Sequence, residues 1–281
     1  MQLVRYQHDG MARIGAVKGN SVHDLSAVEG AATGDMTTLI AAGTSLTDDA
    51  LKGPGMPLNA VRLLAPIERP GKFICMGLNY AEHVKEGGRE LPEYPTLFLR
   101  VQTSLLPPDG QIVLPRNSAK LDFEAELAVV IGKRIRNVSE EEALDAVFGY
   151  TAFNDGSLRD FQRQTTQWTA GKNFDATGPF GPAIVTADEL PRGATGLSIR
   201  SRLNGQVMQD GNTRDMIFPV AKIIAYAASV MTLEPGDIIA TGTPSGVGFA
   251  RTPPVFMTDG DLIEIEIEGL PTLSNRVVAA A

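Results

Sequence analysis

Short apolar and alternating runs, punctuated by Gly, Asp and Asn turn residues, predict a chain richer in strands than in helices. The first 65 residues read as a small unit. Leu3–Tyr6, Arg13–Val17 and Ser21–Asp24 are strand-like pieces separated by Asp9-Gly10 and Gly19-Asn20, both hairpin signals. A helical stretch over Met36–Ala42 follows, then a Gly/Pro-rich connector from Gly53 to Pro57. This predicts a small domain over 1–65 and a larger one over 66–281.

In the larger part, Lys72–Met76 is a short apolar strand ending at Gly77. Glu124–Ile131 runs into Leu127-Ala128-Val129-Val130-Ile131, apolar on both faces and therefore a buried strand. Ser139–Val147 has a helical pattern, with Ser139 as N-cap and Glu142 at the capping-box position. Gly149–Asn154 returns to strand, Ile217–Thr232 is helical in composition, and Asp237–Thr241 and Leu262–Glu268 are strands introduced by Gly-Asp turns. Hairpins and isolated helices alternate without regular βαβ units, so the predicted class is α+β.

Composition narrows the function. Among 281 residues, 43% are apolar, enough for a sizeable core. The formal net charge of -8 argues against a nucleic-acid or anionic-membrane surface, which needs clustered Lys and Arg. Small anionic substrates stay possible, because a local cation overrides the global sign. The single cysteine, Cys75, forms no intrachain disulfide and reads as a small apolar strand residue. The N-terminus has no signal-peptide pattern and no apolar run reaches the ~20 residues of a membrane span. A soluble, cytoplasmic protein is expected.

Chemistry gathers at three places. In Asp122-Phe123-Glu124-Ala125-Glu126, strand alternation puts Glu124 and Glu126 on one side, and Asp155 ends the run Tyr150-Thr151-Ala152-Phe153-Asn154. Carboxylates crowded beside a buried strand need raised pKa values or a cation between them, and oxygen donors suit Mg²⁺ or Mn²⁺. A solvated strand end is the other reading. The glutamates of Ile263-Glu264-Ile265-Glu266-Ile267-Glu268 alternate strictly with isoleucine and are expected to face water. Among three histidines, His8 and His23 lie beside turn residues and read as solvated. His83 and Glu86 share a face if Asn79–Glu86 is helical. That pair is either a base with its orienting carboxylate or part of a charged surface helix. Gly87-Gly88 could end that helix and hinge a mobile segment, from about Asn79 to Leu91, that closes over substrate. Lys172, among small and apolar residues, either holds a substrate anion or snorkels at the surface. The loop Thr241-Gly242-Thr243-Pro244-Ser245-Gly246-Val247-Gly248 either offers N–H groups and hydroxyls to an anion or is a plain tight turn.

Taken in order, Gly77-Leu78-Asn79-Tyr80-Ala81-Glu82-His83, Asp122-Phe123-Glu124-Ala125-Glu126-Leu127, Asn154-Asp155, Lys172 and the Thr241–Gly248 loop resemble the signature of the fumarylacetoacetate hydrolase family. The resemblance spans about Lys72 to the C-terminus and implies a mixed β-sandwich-roll core, one Mg²⁺ or Mn²⁺, and a homodimer. It makes Glu124, Glu126 and Asp155 the metal ligands, His83 and Glu86 a water-activating dyad, and Lys172 a substrate-facing lysine. Gln162, Thr243 and the adjoining Gly242 match substrate-contacting positions, while Asp122 matches a frequent residue that is no ligand. The small N-terminal unit resembles the extra domain of longer bacterial members.

Family members hydrolyse C–C bonds of acylpyruvates and other 2,4-diketo acids, decarboxylate oxaloacetate, or hydrate or isomerise unsaturated 2-oxo acids. With both His83 and Glu86 present, C–C hydrolysis of a small 2-oxo or diketo acid is the expected reaction, with decarboxylase or hydratase activity as the enzymatic alternatives. A metal-stabilised binding protein is the non-enzymatic one.

Overall fold

The computed structural model describes residues 1–51 and 53–280. Two sheets dominate it. The larger has twelve strands, and along its main path the order is Met56–Pro57, Ser21–Asp24, Met11–Lys18, Gln2–His8, Gly178–Thr186, Val147–Asn154, Ala125–Ile131, Ile238–Ala240, Phe73–Gly77 and Thr96–Leu99. A second sheet of five strands runs Gln206–Asn212, Ser198–Leu203, Leu262–Ile267, Leu273–Ala279 and Ile112–Leu114. The class is α+β, dominated by sheets, with few and short helices.

The strand Ala125–Ile131 lies between two cores, as its unbroken apolar run requires. Leu127, Val129 and Ile131 pack with Ile199, Ile263, Ile265 and Leu273 of the smaller sheet and with Ile223, Ile224 and Ala227 of the helix Val220–Val230. Ala128 and Val130 face the other way, onto Phe73, Phe153 and Phe180 and onto Leu3, Ile14, Leu39 and Ile40 from the N-terminal part. The first strands are not a detached sheet: Gln2 and Leu3 pair with Val185 and Ile184. Met36–Ala42 is helical as expected, capped by the Asp35 side chain at one end and by Gly43 in the left-handed conformation at the other.

Several elements differ in extent from the sequence expectation. The helix expected over Ser139–Val147 keeps its capping box, but only Glu140–Ala143 is α-helical before a tighter turn over Leu144–Ala146. The helix expected over Ile217–Thr232 spans Val220–Val230, because Pro219 stands at the N-cap and Ile217 N–H bonds the carbonyl of Asn79 instead. Within the connector, Met56 and Pro57 pair with Val22 and Ser21. His23 is not a loop residue. It sits half-buried in the strand Ser21–Asp24, against Gly55. In Leu262–Ile267 the isoleucines point inward and the glutamates outward, Glu266 pairing with Arg202 at 2.9 Å. No helix among the described residues is long and apolar enough to cross a membrane.

Candidate metal and catalytic site

Antiparallel pairing of Ala125–Ile131 with Val147–Asn154 sets Ala125 opposite Asn154 and Glu126 opposite Phe153. Just beyond the last pair, Asp155 N–H bonds the Glu124 carbonyl at 3.0 Å, and the Asn154 side chain accepts from Glu124 N–H at 3.0 Å. Strand register therefore brings Asp155 to the Glu124/Glu126 face. One oxygen from each of Glu124, Glu126 and Asp155 lies within 4.8 Å of the others, and all three residues are buried.

Around this triad the chain arranges its own cations. Lys172 is buried, and its Nζ lies 2.7 Å from Glu124 Oε2 and 2.6 Å from Asp155 Oδ2. Snorkelling is excluded. Burial works against the ammonium, but Asp155 and Glu124 raise its pKa above the ordinary lysine value. Arg159 bridges Asp122 at 2.8 Å and Glu124 at 2.7 Å, and Arg100 reaches Asp155 Oδ1 at 2.5 Å. Asp122 also accepts from the N–H groups of Gly248 and Phe249, so it ties the 241–248 loop to the strand instead of facing the triad.

Glu126 is the exception. It has no cationic partner within hydrogen-bond reach among the described residues and accepts only the Gly242 N–H, at 2.9 Å. Burial first, then the charges of Asp155 and Glu124, push its carboxyl well above the usual range. Burial alone would lift Glu124 too, but Lys172 and Arg159 hold it below the ordinary value. A buried oxygen cluster with one uncompensated carboxylate is a donor set that a hard divalent cation completes. The residues fit Mg²⁺ or Mn²⁺.

In the dyad His83 is buried and Glu86 half-buried. In the helix Ala81–Glu86, His83 Nδ1 lies 2.8 Å from Glu86 Oε1, and Glu86 Oε2 accepts the Gly246 N–H at 2.9 Å. The charged-surface reading fails because His83 is only 8% exposed. Nε2 has no protein partner among the described residues, and the ring lines a cavity of about 340 Å³ shared with Glu124, Glu126, Asp155 and Lys172. At the start of this segment Asn79 is buried, and its side chain donates to the Phe218 and Thr241 carbonyls.

Of the expected substrate contacts, Gln162 and Thr243 line the cavity. Gln162 accepts from Arg159 at 2.9 Å, which leaves its amide N–H groups free to donate. Thr243 Oγ1 accepts from Gln209 at 2.7 Å, leaving its hydroxyl proton for a ligand. Gly242 stands behind them with its N–H engaged by Glu126. Its φ of +93° and a Cβ position 2.7 Å from Asn79 Cβ explain the glycine. Cys75 is fully buried, and burial, Asp155 and Glu126 all raise its thiol pKa, so it is not a nucleophile.

Sequence reasoning missed Arg100, Arg159, Arg89, Arg163, Trp168 and Phe249. Arg159 could have been found four residues after Asp155, and the sole tryptophan four before Lys172. Arg100 carried no signal, being 55 residues from the carboxylate it holds.

Residues 72–278 match the family model described as fumarylacetoacetate (FAA) hydrolase C-terminal, and residues 1–66 match one described as Rv2993c-like, N-terminal. The chain is 40% identical to the fumarylacetoacetate hydrolase domain-containing protein 2 homolog of Dictyostelium discoideum, over 94% of this chain and 92% of that protein. It is 40% identical to the human protein named oxaloacetate tautomerase FAHD2A, mitochondrial, over 92% and 85%. Among solved structures, the fumarylacetoacetate hydrolase of Exiguobacterium antarcticum superimposes with a TM-score of 0.88 at 37% identity, covering all of both chains. The maleylpyruvate hydrolase of Sphingobium sp. SYK-6, in complex with manganese(II) ion and pyruvate, gives 0.84 at 35%, again over all of both chains.

Proposed function

The chain belongs to the fumarylacetoacetate hydrolase family, and from that premise we propose that it is a divalent-metal-dependent enzyme that enolises a small 2-oxo acid, with keto–enol interconversion of oxaloacetate as its reaction. The observation that carries this is His83, buried and bonded to Glu86, which lines one cavity with the Glu124–Glu126–Asp155 triad. Glu124, Glu126 and Asp155 would hold Mg²⁺ or Mn²⁺. A divalent ion there supplies Lewis-acid stabilisation of the negative charge that develops on the 2-oxo group.

The chain's own residues do the rest. In the keto-to-enol direction His83 Nε2 would take a proton from the carbon beside the 2-oxo group while the 2-oxo oxygen gains one. In the reverse direction the imidazolium gives a proton back to that carbon as the enol oxygen loses its own. Glu86 stabilises the protonated ring and fixes its tautomer. Lys172 holds Glu124 and Asp155, Arg159 holds Glu124, and both keep positive charge at the end where the 2-oxo carboxylate would bind. Gln162 and Thr243 offer donors to its oxygens. Relatives named oxaloacetate tautomerase, similar along nearly the whole chain, support this outcome.

A second reading is hydrolysis of the C–C bond of an acylpyruvate or another 2,4-diketo acid, in which the same imidazole activates water. The likeness to a maleylpyruvate hydrolase favours it. The test monitors the ultraviolet absorbance of enolic oxaloacetate and the mass of acylpyruvate products, with Mg²⁺ or Mn²⁺. Enol–keto exchange faster than the metal alone produces supports the first reading, and acylpyruvate cleavage the second. Neither reaction exceeding the protein-free rate would overturn both. The working assembly we propose is a homodimer; a monomer at micromolar concentration in sedimentation would refute that.

A further inference from the structure

Beyond the triad the cavity wall changes sign. Arg163 follows the short helix Arg159–Gln162, and Arg89 follows Gly88, whose φ of +66° turns the chain after the His83 helix. Both side chains line the same cavity as the triad. Neither has a carboxylate partner among the described residues, unlike Arg100 and Arg159. Each lies instead over an aromatic ring: the Arg163 guanidinium 4.4 Å from the Phe249 centroid, the Arg89 guanidinium 5.6 Å from that of Trp168.

Those rings are themselves held. Phe249 N–H bonds Asp122, and Trp168 stacks edge-on against Phe98 at 5.6 Å. A Cβ on Gly77 would collide with the indole, so glycine there is what lets Trp168 settle against the strand end. Burial, then the neighbouring charges of Arg159 and Arg89, lower the Arg163 pKa, with Asp122 opposing them. Two exposed guanidiniums seated on fixed rings at one cavity can take a planar carboxylate by charge-assisted hydrogen bonds.

We propose that Arg89 and Arg163 form a distal-anion subsite that selects 2-oxo acids carrying a second carboxylate. The assignment rests on the 2-oxo acid reading above, which places the first carboxylate at the triad end. The triad and both arginines line one cavity of about 340 Å³, which puts the two anion sites within a single ligand's space.

The test compares binding of 2-oxoglutarate and 2-oxovalerate to the Mn²⁺-loaded protein by calorimetry. These ligands share chain length and differ in a terminal carboxylate against a methyl. Oxalate, which mimics only the metal-binding end, is the reference. Wild type should prefer 2-oxoglutarate by about tenfold, the scale of one charge-assisted contact. Arg163→Gln and Arg89→Gln should each cut that ratio several-fold, and Arg163→Lys should keep part of it. A variant that weakens both ligands equally, leaving the ratio intact, would show a structural role only and overturn the subsite, as would a wild type without preference. Failure of wild type to bind oxalate would instead overturn the 2-oxo acid reading on which the subsite depends.

Discussion

Glu86 touches His83 and Gly246 at once: one carboxylate oxygen lies 2.8 Å from His83 Nδ1 and the other accepts the Gly246 N–H at 2.9 Å. The imidazole is thus oriented by a carboxylate that is itself pinned to the loop closing the cavity. Replacing the base should be severe. His83→Ala is expected to lower acylpyruvate cleavage and oxaloacetate tautomerisation by roughly 10²–10⁴-fold. Glu86→Gln keeps the ring in place but removes the charge stabilising its protonated form, so its rates should fall between wild type and His83→Ala. Steady-state rates within twofold of wild type for His83→Ala would remove the dyad from the mechanism.

Glu126 and Glu266 make a paired test of the metal assignment. Glu126→Gln should weaken Mn²⁺ binding about tenfold or more, measured by the loss of free-ion electron paramagnetic resonance signal. Glu266→Gln, on the strand whose glutamates face outward to Arg202, should bind like wild type. The reverse pattern would show that the cation sits elsewhere. Exhaustive EDTA treatment should abolish activity, and readdition of Mg²⁺ or Mn²⁺ should restore it.

Asp155→Asn should damage tautomerisation and C–C cleavage together. Its carboxylate belongs to the triad and is held by both Lys172 and Arg100. If one reaction survived this change at the wild-type rate, that reaction would not depend on the triad.

Gly242→Ala should destabilise the fold by about 1–3 kcal/mol. The added methyl meets Asn79 Cβ at 2.7 Å, and the backbone at φ +93° resists an L side chain. Urea unfolding midpoints measure the cost. A midpoint equal to wild type would mean the loop shifts without strain.

Acid should erase the contribution of Asp24. Burial would raise its carboxyl, but hydrogen bonds from Ser26, the Tyr6 hydroxyl and Arg13 hold it at about 2, against an ordinary 3.8. Because the folded-state value is depressed, the stabilisation is fully present above 3.8 and is lost as pH falls through about 2. Asp24→Asn should therefore lower the thermal midpoint at pH 7 and lose that deficit progressively between about pH 4 and pH 2. A deficit independent of pH would assign the effect to packing.

Much of the molecule was legible in the order of residues alone. The apolar run Leu127–Ile131 announced a strand buried on both faces, since no solvated face tolerates that run, and strict Ile/Glu alternation at 263–268 marked a strand with one face outward. Carboxylate spacing at Glu124 and Glu126 put two acids on one face because strand geometry has period two. Local spacing could not decide what surrounds them. Whether His83 and Lys172 were buried depended on which distant segments covered them, and only the tertiary structure brought Lys172 to within 2.7 Å of Glu124, 48 residues away. Arg100 and Arg89 were invisible for the same reason. An arginine's role is set by the partner or ring it meets across the fold, and neither Asp155 nor Trp168 is near them in sequence.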